Sequence, residues 1–320
     1  MQPITIRFWG TRGSLPAALT AREVQEKVAQ SLHAAAGHNL DTLDKARAFA
    51  ATLPFAVANT FGGNSSCVEL KCAGTPRVLL DIGSGARQAG IAAMRELKGK
   101  PGDYHIFLSH PHWDHIMGFP FFTPAYIPGN RLRIYGCHAE VEQALRLQQA
   151  APCFPVEFST MQAQIEFVRL QAGRAYDIAG YQVTAKGQAH GGDSYGYRFE
   201  RDGRAVVYST DSEHKLEDAG ETMSVVEFFR EADLVIFDAM YSLADSISVK
   251  ADWGHSSNVV GVELCQMAKV KHLALYHHEP AYDDATIEAL WRETQRLETI
   301  TRENHRVEVT AAYDGLEIML

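Results

Sequence analysis

Ser109-His110-Pro111-His112-Trp113-Asp114-His115 places four residues able to ligate a metal within six positions. The segment follows Tyr104-His105-Ile106-Phe107-Leu108, an apolar run that reads as a buried strand. In extended backbone, residues i and i+2 point the same way, so His110 and His112 can bind one ion together. Asp114 and His115 sit one step further along and can reach a second. The alternative, a solvated polar turn with scattered histidines, does not account for so dense a set of ligand types.

Further candidates stand at the ends of other apolar runs. Asp211 closes Val206-Val207-Tyr208-Ser209-Thr210-Asp211, and His277 follows Leu273-Ala274-Leu275-Tyr276. His278 competes with His277, since either could end the strand; His277 is preferred because it holds the same place after its strand as His110 does. His190 lies between two strands, in Gln188-Ala189-His190-Gly191-Gly192-Asp193, and alone would read as a solvated turn histidine. Asp81, at the start of Asp81-Ile82-Gly83-Ser84-Gly85, either orients a metal-binding histidine from behind or caps its own loop. Those glycines match neither a Walker loop nor a dinucleotide fingerprint, and read as a close-packed turn beside the site.

The elements that must position these residues follow from periodicity. Strands are expected at Ile4 to Trp9, Ser66 to Lys71, Val78 to Ile82 and Leu132 to Tyr135, then at Ile165 to Leu170, Tyr181 to Ala185, Tyr195 to Glu200 and Ala205 to Ser209, with Asp202-Gly203 a hairpin turn. Leu234 to Phe237 reads as another buried strand and His272 to Tyr276 as the last. Helices are expected at Ala86 to Leu97, His138 to Gln149, Ser257 to Ala268 and Ala285 to Glu303. This pattern fits two sheets packed face to face with helices outside.

Residues 17–58 differ in style. Thr20-x-x-Glu23 is a capping box ahead of an apolar stripe, Ala21, Val24, Val28, Leu32 and Ala35. A second helix is expected from Asp41 to Leu53, ended by Pro54. The pair reads as a helical hairpin inserted into one domain spanning 1–320, with its stripes buried on the body or on a second copy in a homodimer. The segment Gly118 to Tyr126 is strongly aromatic; most of it reads as core, with one or two rings available to line a pocket.

Composition narrows the class. In 320 residues, 46% are hydrophobic and 22% charged, ordinary for a globular protein, and the net charge is −9. That balance disfavours a broad nucleic-acid-binding face. Five scattered cysteines without a Cys-x-x-Cys pair suit reduced thiols. With neither a signal-peptide pattern at the start nor an apolar run of membrane-spanning length, the expected location is the cytoplasm, with no membrane partner.

The His110-x-His112-x-Asp114-His115 pattern resembles the signature of the metallo-β-lactamase superfamily, and His190, Asp211 and His277 match its later ligand motifs in order. Gly254-His255-Ser256-Ser257 and the histidine 22 positions on resemble the C-terminal part of ribonuclease Z. Phe8 to Ser14, Gly62 to Cys67 and Ser109 to Phe122 are similar to bacterial members of the same phosphodiesterase branch. The resemblance covers nearly all of the chain outside 17–58, but the sequence lacks a long Gly/Pro-rich arm of the kind ribonuclease Z uses on transfer RNA.

It implies an α/β four-layer αββα sandwich with the hairpin as an insertion. It implies two divalent ions, zinc in the first place, with manganese or iron as alternatives. By position, His110, His112 and His190 would hold one ion and Asp114, His115 and His277 the other, with Asp211 between them. A metal-bridging hydroxide would attack a small phosphodiester such as a cyclic nucleotide, with Asp114 and His255 in catalysis and His255 protonating the leaving group. An endoribonuclease of the ribonuclease Z type, a non-catalytic metal-bound sensor, and a thiolester or lactam hydrolase are the competing readings.

Overall fold

The computed structural model describes residues 2–242 and 254–320. Two seven-stranded mixed sheets form the interior. The first runs β14(Glu317–Met319)-β1(Ile4–Gly10)-β2(Cys67–Cys72)-β3(Arg77–Leu80)-β4(Asp103–Phe107)-β5(Arg131–Gly136)-β6(Gln164–Arg169). The second runs β13(Glu308–Ala311)-β12(His272–Tyr276)-β11(Leu234–Asp238)-β10(Arg204–Ser209)-β9(Ser194–Arg201)-β8(Tyr181–Gln188)-β7(Ala175–Ile178). Strands β3 to β6 are mutually parallel, as are β10 to β13; the remaining pairs are antiparallel.

Alternation along each strand builds the layers. On β4, Phe107 joins Ile6, Phe8, Leu70, Leu80, Val206 and Ile236 in the core between the sheets. Tyr104 and Ile106 point the other way, under α4(Ala86–Leu97) and α6(Val141–Gln148). On the far side, Val207, Val235 and Leu273 meet α7(Ala219–Phe229), α8(Asn258–Met267) and part of α9(Asp284–Thr301). The order of layers is therefore αββα. Because helices cover the outer faces, the central strands carry no polar alternation: all five residues of β11 are buried. All five cysteines are free thiols, and Cys153 is exposed.

The segment 17–58 forms α1(Ala21–Ala34), α2(Leu43–Ala50) and α3(Phe55–Ala58). The Thr20–Glu23 capping box is present on α1. Two details depart from the sequence reading. The second helix stops at Ala50, and Pro54 opens a further turn, α3, in place of ending one. The apolar stripe of α1 faces outward, with Val24, Val28 and Leu32 exposed by 48%, 52% and 68%. Its half-buried face is Glu23, Lys27 and Ser31. The reason is polar: Lys27 Nζ donates to the carbonyls of Ala56 and Asn59 and pairs with Asp284 at 2.7 Å. Those contacts set the rotation of the helix, and apolar spacing does not report them.

Candidate metal centre

Parallel strands end on the same edge of their sheet, and here the carboxyl edges of both parallel runs meet. Asp81 follows β3, His110 follows β4, Asp211 follows β10, Asp238 closes β11 and His277 follows β12. The turn-offs are sharp. Asp81, Asp211 and His277 have φ of +56°, +48° and +60°. A non-glycine residue there costs about 1–3 kcal/mol and persists only where surrounding structure holds it. One short helix, α5(Trp113–Ile116), continues directly from His112 and turns Asp114 and His115 inward.

All seven ligand candidates converge. His110, His112 and His190 have ligand atoms within 4.8 Å of one another, and so do Asp114, His115, Asp211 and His277. His190 Nε2 lies 3.1 Å from His112 Nδ1. In the second group, His115 Nε2 is 3.1 Å from Asp114 Oδ2 and 3.3 Å from His277 Nε2. Asp211 stands between the groups. Its Oδ2 is 3.7 Å from the Nε2 atoms of His110 and His190, and its Oδ1 is 3.1 and 3.2 Å from those of His115 and His277. His278 turns away: its Nε2 lies 2.8 Å from Ala312 O, and burial pushes its pKa down to about 3.

Groups behind the histidines fix their rings. Asp81 Oδ2 lies 2.7 Å from His115 Nδ1 and accepts the hydroxyls of Ser109 and Tyr208, both at 2.7 Å. Asp81 therefore orients a histidine from behind. Ser109 Oγ is 3.0 Å from His110 Nδ1, and Gly254 O is 2.8 Å from His190 Nδ1. Gly254 needs to be glycine: its φ is +82°, and a Cβ there would sit 2.5 Å from His190 Nδ1. With Nδ1 engaged outward, His110, His115 and His190 present Nε2 to the centre, the arrangement that metal-ligating histidines adopt.

His255 joins the same edge, its ring 5.1 Å from that of His190 and stacked 5.2 Å from that of His277. Its Nδ1 lies 2.8 Å from Asp238 Oδ2. Burial alone would lower its pKa, but Asp238, above all, outweighs burial and raises it to about 9. Asp238 went unnoticed in the sequence although it stands at the end of a buried strand, as His110, Asp211 and His277 do. That shared placement was the signal available. Glu213 accepts the Gly254 N–H at 3.3 Å, and His214 packs behind it against Phe237. In the aromatic segment, Phe119 and Phe122 are core, whereas Phe121 and, next to the ligands, Trp113 are exposed by 54% and 66%.

The residues fit a cation. His110 Nε2 is buried and has no hydrogen-bond partner, an arrangement that ligation would satisfy. Burial works against protonating His115, yet Asp114, Asp211 and Asp81 pull its pKa well above the usual value. Such a field, closed off from water, favours positive charge.

Residues 76–278 match the family model described as a beta-lactamase superfamily domain. The chain belongs to the metallo-β-lactamase superfamily. A ribonuclease Z from Pyrococcus furiosus is 26% identical over 65% of this chain and 79% of its own. Among solved structures, the metallo-beta-lactamase fold protein YhfI from Bacillus subtilis covers 100% of both chains at 17% identity and a TM-score of 0.64. A diphosphatase from the PhnP family covers 100% of this chain and 98% of its own, at 21% identity and a TM-score of 0.60. This chain's sequence relatives include ribonuclease Z, and its clustered His and Asp side chains form groups that could hold metal ions. No helix among the described residues is long and apolar enough to cross a membrane.

Proposed function

We propose that the chain is a dinuclear metal-dependent phosphodiesterase acting on small substrates such as cyclic nucleotides. His110, His112 and His190 would hold one ion and Asp114, His115 and His277 the other, with Asp211 placed between the two sets. The observation that carries this reading is the division of the Asp211 carboxylate, one oxygen toward each histidine group. Zinc suits the His/Asp set, with manganese and iron as alternatives. Bound there, divalent ions would lower the pKa of water and offset charge on phosphoryl oxygens.

The chain's own groups do the rest. Asp114, beside its ligand role, would accept a hydrogen bond from the attacking water. His255 has Nδ1 tied to Asp238, which leaves Nε2 for the leaving-group oxygen. Asp238 keeps the ring protonated and correctly turned, so His255 delivers the proton that an alkoxide needs on departure.

Similarity to a diphosphatase and a ribonuclease Z supports phosphate ester chemistry. An endoribonuclease is the second reading, favoured by the ribonuclease Z similarity. Net charge −9 weighs against it, because gripping RNA depends on neutralising phosphates. The test is turnover by metal-loaded protein of bis(p-nitrophenyl) phosphate, a cyclic mononucleotide, a precursor transfer RNA, a thiolester and a lactam. Hydrolysis of the small diesters with little RNA cleavage is expected. Efficient RNA cleavage with inert diesters would establish the second reading, and turnover of only the thiolester or lactam would refute both.

A further inference from the structure

The Asp114 carboxylate accepts a hydrogen bond from outside the ligand set. Its Oδ2 accepts the backbone N–H of Ser14 at 2.9 Å. Ser14 lies in the loop after β1, which supplies no ligand, yet that loop is wedged into the site. Arg12 N donates to Asn64 O and Gly13 N to His278 O, both at 2.9 Å, while His278 N donates to Thr11 O at 2.9 Å. Gly13 lies flat against the His277 ring, where a Cβ would come within 2.6 Å of Nδ1. The segment before β2, which Arg12 N pairs with at Asn64 O, also holds the Asp114 backbone: its carbonyl accepts the Ser65 hydroxyl at 2.7 Å.

The anchor of this loop is the Arg12 side chain, only 3% exposed. Its Nε donates to Gly62 O at 3.0 Å, and its Nη1 to Glu279 O at 3.2 Å and Tyr282 O at 2.7 Å. Its Nη2 stands 4.0 Å from Asp284 Oδ1. Asp284 is equally buried, opens α9, and accepts Phe61 N–H at 2.9 Å and the Thr60 hydroxyl at 3.2 Å on Oδ1. Its Oδ2 pairs at 2.7 Å with Lys27, which comes from α1 of the helical hairpin. One buried carboxylate thus lies between a cation of the hairpin and the cation that pins the Ser14 loop.

We propose that Lys27, Asp284 and Arg12 are positioning residues, a relay through which the hairpin sets how firmly Asp114 holds an ion in the half-site of Asp114, His115, Asp211 and His277. The inference rests on the two-metal reading above. Its physics is a competition for Arg12. With Lys27 present, Asp284 is neutralised from the hairpin side, and the guanidinium stays spread over three carbonyls at a longer distance from the carboxylate. Without Lys27, the uncompensated carboxylate draws Arg12 inward. The guanidinium then leaves its carbonyls, the loop slackens, and the Ser14 N–H drifts from Asp114. Losing a group that orients a ligand from behind typically weakens metal binding about 10–100-fold. Acting at one remove, Lys27 belongs at the lower end.

The test is zinc titration of metal-free protein against a competing chelator, reading two dissociation constants. Lys27→Met should weaken one ion about tenfold and leave the other unchanged. Lys27→Arg should restore wild-type binding to within about twofold. Repeating Lys27→Met in a His112→Ala background, where only the buried half-site is left intact, should show the same loss and so assign it. Arg12→Lys keeps the charge but loses the forked contacts, and should also weaken that ion selectively. Constants that do not change in Lys27→Met, that weaken equally, or that are not restored by Lys27→Arg would overturn the relay alone. A wild-type protein that binds a single ion would overturn the relay together with the two-metal reading.

Discussion

The two halves of the metal centre are built differently. Asp114, His115, Asp211 and His277 are all buried, two of them carboxylates. In the other half His110 is buried, His190 is half-buried and His112 is exposed, and all three are imidazoles. Supports differ as well: His115 is backed by the Asp81 carboxylate and Asp114 by the Ser14 amide, whereas His190 is backed by a single carbonyl. The buried half concentrates negative charge where water cannot screen it, so it should hold its ion tightly. The open half faces solvent and should exchange. On the proposed reading, Asp211 then has one structural side and one working side.

Removing the shared group should do the most damage. Asp211→Ala is expected to lose both ions and all measurable turnover, as read by elemental analysis after gel filtration. Retention of two ions would mean that the halves are independent. His112→Ala touches only the open half, and should leave one ion per chain with turnover falling to near background. Loss of both ions in that variant would erase the distinction between the halves.

Changes that spare the ligands should spare both ions. His255→Ala is expected to keep two ions and lose about 10²–10⁴-fold in rate for alkyl leaving groups, with a smaller loss for p-nitrophenyl, which departs with less help. Equal losses for both classes would remove His255 from proton donation. Asp238→Asn should have a milder effect and a signature in pH. Asp238 raises the His255 pKa, so its loss lowers that value, and the protonated form that donates is depleted at lower pH. The basic limb of the rate profile should move toward neutral, and an unmoved limb would separate the two residues.

Much of this site was legible in the sequence because strand ends impose it. A ligand one or two residues beyond an apolar run must sit at a sheet edge, and His110, Asp211 and His277 each obey that rule. His277 could be preferred over His278 on the same ground. Less visible was anything fixed by polar contacts between distant segments. Asp238 carries no motif of its own; its place at a strand end is the one sequence signal, and its 2.8 Å approach to His255 shows its partner. The outward stripe of α1 is the clearest case. Val24, Val28 and Leu32 repeat at helical spacing, yet Lys27 decides which face turns inward, through partners 29 to 257 positions away. Short edge strands such as β7, β13 and β14 escaped because four residues or fewer do not establish a period. Helix α7 is not among the helices expected from the sequence, although four of its residues are buried.

In the proposed mechanism, catalysis needs both halves, joined through Asp211. The most direct measurement is to add zinc stepwise to metal-free protein while following hydrolysis of bis(p-nitrophenyl) phosphate and bound metal together. Activity is expected to stay near background up to one ion per chain and to rise as the second binds. Full activity at one ion per chain would contradict it.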